Sequence, residues 1–223
     1  MVFIILTNIA ILNYYKLIKI KNMKTIKNIG ILSIVLFVIS CSKSEDSPIL
    51  PIPLSKALNF TNANAVSIPD APFPGASGVA TSTININNDK GIISDKNKIT
   101  LELNIQHTEK RDLVFALETP DGTIKDFVYR VGGSAGDYIG TNKLRFNATF
   151  TDAISNSVTD VANGNYKESF GPTYTSQNLE PIFSSLQGKQ IQGVWKLKVY
   201  DFQFGDTGNI ISWSLNFGEG ALQ

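Results

Sequence analysis

The chain has 223 residues, 43% of them hydrophobic, enough to bury a sizeable core in one domain once an export segment is set aside. Its formal net charge of +1 hides an asymmetry: five lysines before Cys41 (Lys16, Lys19, Lys21, Lys24, Lys27) meet no acid, and the remainder carries fifteen basic against nineteen acidic residues. A mildly acidic remainder without basic clusters argues against a nucleic-acid partner.

Residues 23–41, MKTIKNIGILSIVLFVISC, read as a complete export signal. Lys24 and Lys27 form its basic n-region and residues 29–39 a short apolar h-region. Val38-Ile39-Ser40-Cys41 resembles a bacterial lipobox, in which the cysteine is diacylated and becomes the first mature residue. An uncleaved membrane helix is the other reading. With one cysteine in the chain, no disulfide forms within a monomer. A diacyl anchor, at ~0.8 kcal/mol per buried CH₂, attaches stably to a bilayer. Residues 1–22 make a second apolar stretch ahead of a sufficient signal. Translation is expected to begin at Met23, an unusually long signal being the alternative.

Residues 41–59 are expected to be the lipidated cysteine and a tether. Ser42-Lys43-Ser44-Glu45-Asp46 resembles the acidic stretch that sends lipoproteins to the cell surface in Bacteroidetes-type bacteria; plain linker is the alternative. Pro48, Pro51 and Pro53 favour an extended stalk at ~3.1 Å per residue. The expected location is the outer membrane, with the bilayer as a partner through Cys41.

The folded part is expected over residues 60–220. SIPD at residues 67–70 and the Pro/Gly-rich stretch after it read as an entry loop. Ile84 and Ile86 share one face of a strand, and residues 88–91 form a turn. Ile99, Leu101, Leu103 and Ile105 alternate with Thr100, Glu102, Asn104 and Gln106, the cleanest period-2 run in the chain. Leu113, Phe115 and Leu117 make the next strand, closed by the turn Pro120-Asp121-Gly122-Thr123. Residues 124–131 form another strand, and 132–142 a glycine-rich loop. Leu144, Phe146, Ala148 and Phe150 then alternate with polar neighbours. Residues 151–179 are polar and weakly patterned, and 179–186 suit a turn of helix or irregular chain.

The pattern is strongest at the end. Trp195, Leu197 and Val199 share one parity; Ile211, Trp213, Leu215 and Phe217 share another; FQFGDTG at 202–208 supplies turn chemistry between them. This predicts a hairpin that places both tryptophans in the core. Many short strands with turns every ten or so residues predict an all-β sandwich.

GVWKLKVYD at 193–201, GDTG at 205–208 and SWSL at 212–215 resemble the end of the P/Homo B domain, the jelly-roll-like β-sandwich that follows the catalytic domain in subtilisin-like proprotein convertases. SIPD, then HTEKRDL at 107–113, ETPDGT at 118–123 and FTDA at 150–153 follow that family's order. The resemblance spans residues 62–217. Two positions depart from it: Glu109 stands where the family has an aromatic residue, and Arg111 where it has glycine. They bring into question a surface contact beside His107, not the fold. The resemblance implies structural roles for His107, Thr108, Trp195, Asp201 and Trp213.

A serine-protease triad needs a histidine base. The one histidine, His107, matches a structural landmark of a non-catalytic domain, and the chain has no subtilisin-type serine segment and no G-x-S-x-G. With one His and one Cys, zinc is disfavoured. The chain is therefore expected not to be an enzyme; a carboxylate pair has no specific support among nineteen acids. Calcium takes oxygens from loops. Asp112, Asp121, Asp152, Asp201 and Asp206 all fall at strand ends or turns; some domains of the resembling family bind calcium, and Asp112, Asp121 and Asp152 match its landmarks, so a structural calcium using Asp112, Asp121 or Asp152 is the expectation. Turn carboxylates that bond their own backbone are the alternative. The function implied is an interaction or stabilising module for a separate secreted subtilisin-like serine protease, with a glycan- or polymer-binding surface module as the alternative. Tyr138, Tyr166, Tyr174, Phe202 and Phe204 lie in loops and are candidates for such a surface, or else cap the sandwich.

Overall fold

A computed structural model of the chain describes residues 55–132, 136–155, 161–171 and 182–223. Cys41 and Tyr174 lie outside the described residues. No helix among the described residues is long and apolar enough to cross a membrane.

The described chain forms two packed sheets. One has the order β1 (Leu58–Asn62), β11 (Gly208–Phe217), β4 (Ile99–His107), β7 (Ile139–Phe146), β8 (Gly164–Tyr166), with β2 (Val66–Ile68) also along β11. The other has the order β3 (Gly78–Ile86), β10 (Gly193–Asp201), β5 (Leu113–Glu118), β6 (Ile124–Tyr129), β9 (Ser169–Phe170). A short helix, α1 (Ile182–Leu186), buries Ile182, Phe183 and Leu186. The expected all-β sandwich is present.

Alternation explains the layers. In β4 the residues Ile99, Leu101, Leu103 and Ile105 are fully buried, and in β10 Trp195, Leu197 and Val199 are buried opposite them. Side chains of period two give each sheet one core face. Both indoles find acceptors inside: Trp195 Nε1 donates to the Ile191 carbonyl at 2.8 Å, and Trp213 Nε1 to Ser82 Oγ at 3.0 Å. A buried N–H left unpaired would be costly.

Three expectations need correction. The tryptophan strands are not a hairpin: β10 pairs with β3 and β5, whereas β11 pairs with β1, β2 and β4. Residues 202–207 arch from one sheet to the other, so the two apolar faces meet across the core, and the Trp195 and Phe217 rings pack edge-on at 6.4 Å. Second, Ile211 does not share the buried face. A register shift between Ile210 and Ser212 turns Ile210 inward instead, as an extra residue in a bulge does. Third, the strand read at 144–150 lies earlier, over β7. Asn147 stops it: its amide donates to the Asn97 and Ile99 carbonyls, and its carboxamide oxygen accepts from the Thr149 N–H. Ala148 and Phe150 therefore lie in a turn, closed by Phe150 N–H to the Asn147 carbonyl. The weakly patterned stretch contributes the short parallel strands β8 and β9.

Candidate functional site

The strands give the sandwich two poles. Residue 55 enters at one, where its carbonyl and hydroxyl accept from Gly220 and Leu222 N–H. At the other, β4 and β10 end, and β3, β5, β7 and β11 begin. His107, Thr108, Glu109, Asp112, Asp201 and Asp206 gather at this second pole, the densest set of chemical groups singled out in the sequence.

His107 is 1% exposed and lies across from Asp201, which is fully buried, with Nε2 to Oδ2 at 3.2 Å. Its Nδ1 lies 2.8 Å from the Glu109 carbonyl and 3.1 Å from the Glu109 N–H. Both ring nitrogens are thus engaged within the protein. Asp201 Oδ1 accepts from Gln203 N–H at 3.0 Å and so starts the loop that follows β10. Burial pushes the Asp201 carboxyl up, while the Gln203 hydrogen bond and His107 pull it down. The ring is wedged by glycine: a Cβ on Gly208 would sit 2.4 Å from His107 Cδ2 and 2.3 Å from the Gln106 carbonyl oxygen. Thr108 closes the same corner, donating to Asp206 Oδ1 and accepting from Thr207 N–H. A histidine sealed in this way orients loops and cannot meet a substrate.

Glu109 and Arg111, the two departures from the family pattern, are built into this pole. Glu109 is buried and its Oε2 accepts from Gly136 N–H at 2.6 Å. It is thus an internal brace, not a surface contact. Gly132 lies so close to Arg111 that a Cβ there would be 2.7 Å from the Arg111 Cβ. The chain has the side chain at 111 and the glycine on the facing loop.

Asp112 is 1% exposed; Arg111 Nε and Arg130 Nη2 both lie 3.9 Å from its Oδ1. Burial, and next the Glu109 charge, push its carboxyl up to about 6, against the pull of Arg111. Asp121 lies after β5 and Asp112 before it, so the six-residue strand holds them roughly 20 Å apart. Asp121 is turn chemistry: it accepts from Thr119 Oγ1 and Thr123 N–H and pairs with Lys189. The Lys189 pairing leads the causes that hold its carboxyl well below the usual range. Asp152 is exposed, in irregular chain beyond the turn that follows β7, with Thr151 as its side-chain partner. The three aspartates therefore do not converge, and among the described residues no three His, Cys, Asp or Glu side chains are placed to hold one ion. A calcium ion needs about six to eight oxygens; these carboxylates do not fit one shared site.

The aromatics expected in loops divide, and one of them, Tyr166, ends β8 instead. Tyr166 donates to the Ala162 carbonyl and packs toward Phe146, and Phe202 stacks on Tyr200 at 6.2 Å, with the Arg130 guanidinium 6.0 Å from the Phe202 ring centre. Tyr138 is 43% exposed and Phe204 73%. Phe73, missed in the sequence because it lies in a proline-rich loop without strand alternation, is 62% exposed.

The family model described as the proprotein convertase P-domain matches residues 96–217. Leupeptin-inactivating enzyme 1 of Streptomyces exfoliatus is 28% identical over 165 residues, covering 74% of this chain and 27% of that protein. Two solved structures are similar. The serine protease of Aeromonas sobria in complex with its chaperone has a TM-score of 0.40 at 14% identity, covering 74% of this chain and 27% of that one. The same protease alone has a TM-score of 0.38 at 14% identity, covering 77% and 28%. The chain spans about a quarter of the length of these relatives. With more than half its residues matched, over strands that build both sheets, the chain belongs to the proprotein convertase P-domain family, a non-catalytic domain associated with serine proteases.

Proposed function

We propose that the chain is a lipid-anchored, non-catalytic P-domain module of the outer membrane that docks on and stabilises a separate secreted subtilisin-like serine protease. The family match over residues 96–217 carries this reading. The closed His107–Asp201 pair supports a structural pole and not a proteolytic one. Cys41 would take the lipid and residues 42–54 would form the stalk, since the expected tether boundary at 59 runs into the sandwich, where residue 55 is bonded to Gly220 and Leu222 and β1 starts at Leu58. A partner that binds only the native protein stabilises it by RT ln(1 + [L]/Kd), and the same linkage stabilises the protease. The test is the half-life at elevated temperature of a subtilisin-like protease secreted by the same cells, with and without the full chain. Longer survival in step with chain concentration is expected; an unchanged half-life, with no binding to the active-site-inactivated protease, overturns the reading.

A glycan-binding surface module is the second reading, and one observation favours it. The outer face of the first sheet is polar in register: Thr61, Ser214, Glu102, Arg145 and Asn165 align across five strands. Beside them a shallow depression is lined by Asn104, Lys143 and Asn163. Amides and hydroxyls in rows suit sugar hydroxyls. A glycan array probed with the full chain and with Lys143→Ala tests this; loss of a specific signal in the variant supports it, and absence of any signal overturns it.

A further inference from the structure

We propose that the depression on the outer face of the first sheet, where β4, β7 and β8 run side by side, binds an acidic polysaccharide through its carboxylate or sulfate groups. The proposal rests on the glycan-binding reading and names the class of sugar that reading leaves open.

Strand register builds the site. Asn104 on β4 pairs with Lys143 on β7; one row away Glu102 pairs with Arg145, and Arg145 with Asn165 on β8. Residues of one parity point to one face, so Lys143 and Arg145 are exposed together while Leu144 between them is buried. Asn104, Thr141, Lys143, Arg145, Asn163 and Asn165 line the depression.

The two edge amides have a fixed sense. Lys143 N–H donates to Asn163 Oδ1 at 2.6 Å, and Arg145 Nη1 donates to Asn165 Oδ1 at 3.3 Å. A backbone N–H and a guanidinium can only donate, so each carboxamide must turn its oxygen to β7. The Nδ2 donors are the ends left over, on two exposed residues.

Charge at this surface has the same sign. Glu102 is the one acid in the strands of this sheet, and its Oε2 lies 3.6 Å from Arg145 Nε. That pair is balanced, and exposed Lys143, which makes no ion pair among the described residues, is the surplus. An ammonium beside two outward amide donors fits an anionic oxygen, where charge-assisted hydrogen bonds are strongest. One acceptor completes the set: Asn104 Oδ1 is buried and has no hydrogen-bond partner. An unmet buried acceptor in a native fold points to a missing donor. A carboxylate or sulfate brings no hydrogen for it; a neighbouring sugar hydroxyl does.

No aromatic residue is among those lining the depression. A single-stranded nucleic acid would find no platform for its bases, and a neutral sugar no ring to stack on. Affinity must come from hydrogen bonds and charge, which an acidic sugar supplies together. The depression is open and not an enclosed cavity, so a unit within a polymer fits without a chain end.

The test measures binding of the full chain by biolayer interferometry to two immobilised pairs: polygalacturonate and its methyl ester, and dextran sulfate and dextran. Wild type, Lys143→Gln and Asn163→Asp are compared with Lys90→Gln, which removes the same charge from an exposed position after β3. Asn163→Asp keeps an oxygen for the Lys143 N–H and replaces the outward donor by an acceptor. Matching thermal unfolding curves verify folding. At least one charged polymer is expected to bind about tenfold or more tighter than its neutral form. Each site variant should weaken that binding about tenfold or more, and Lys90→Gln should change it under about threefold. Binding that survives both site variants, or falls equally in Lys90→Gln, overturns the site and leaves the glycan reading standing. Equal affinity for charged and neutral forms overturns the acidic class alone. Binding to none of the four overturns the proposal, and with a silent glycan array it overturns the glycan reading too. Equally tight binding to polyglutamate or single-stranded DNA overturns the saccharide assignment.

Discussion

Replacing Asp112 by asparagine should flatten the dependence of stability on pH. Burial and the neighbouring Glu109 push the Asp112 carboxyl from 3.8 up to about 6. Between these values the native protein holds a proton that the unfolded chain has released. Stability from this group is therefore fully present below about pH 4 and is lost as pH rises through about 6. Two pKa units at 1.36 kcal/mol each make the loss about 3 kcal/mol. Asp112 is 1% exposed, so solvent screens it little; its arginine partners stand at 3.9 Å, too far to hydrogen bond. Asparagine keeps the shape and cannot ionise. The assay is urea unfolding followed by tryptophan fluorescence, since Trp195 and Trp213 are both buried. Measured at pH 4.5 and 7.5, wild type should lose about 2 kcal/mol more than Asp112→Asn, the first part of the loss having occurred below pH 4.5. Parallel pH profiles for the two proteins would refute the reasoning.

His107→Ala should cost about 3–5 kcal/mol, because it leaves the buried Asp201 carboxylate without its ring partner; chemical unfolding at pH 7 reads it. Gly208→Ala should cost about 1–3 kcal/mol through overpacking, since the added methyl meets the backbone of β4 and the His107 ring; the melting temperature reads it. Lys189→Ala should change stability by less than about 1 kcal/mol, because the pair it forms with Asp121 is at the surface. Calcium and EDTA should give the same melting temperature, because Asp112, Asp121 and Asp152 lie apart; a rise with calcium that Asp112→Asn or Asp121→Asn removes would show a metal site assembled from other oxygens.

The site was legible as residues and not as an arrangement. His107, Thr108, Asp112, Asp201 and Asp206 stand out in the sequence as strand-end groups, and the fold brings all five to one pole. Asp121 and Asp152 look equivalent to Asp112 in a linear reading. They end up elsewhere because a turn carboxylate can close its own turn, as Asp121 does with Thr119 and Thr123, or stay in water. Nothing in the spacing distinguishes these fates; it depends on which strands become neighbours. The burial of Glu109 is illegible in the sequence for a related reason. A charged residue at a strand end is ordinarily exposed, but here the 136–137 segment folds over it and Gly136 N–H meets its carboxylate. Phe73 had no signal at all, because a lone aromatic among prolines carries no period.

The tryptophan strands show where periodicity stops informing. Alternation assigns a face to each residue, and it assigned Trp195, Leu197, Trp213 and Leu215 to the core correctly. It is silent on whether two such strands share hydrogen bonds or face one another. Two apolar faces joined by a short turn can lie side by side in one sheet, where both point to the same core, or arch over it, where they oppose. A two-residue turn with primed geometry would have selected the hairpin. The connection here has six residues, and both of its ends are claimed by other partners: Asp201 holds Gln203 N–H, and Thr108 holds Asp206 and Thr207. With β3 and β5 flanking β10, and β1 and β4 flanking β11, neither strand has a free edge for the other. The arch follows from that competition. It also fixes residues 202–207 at the His107 pole, with Phe204 turned outward.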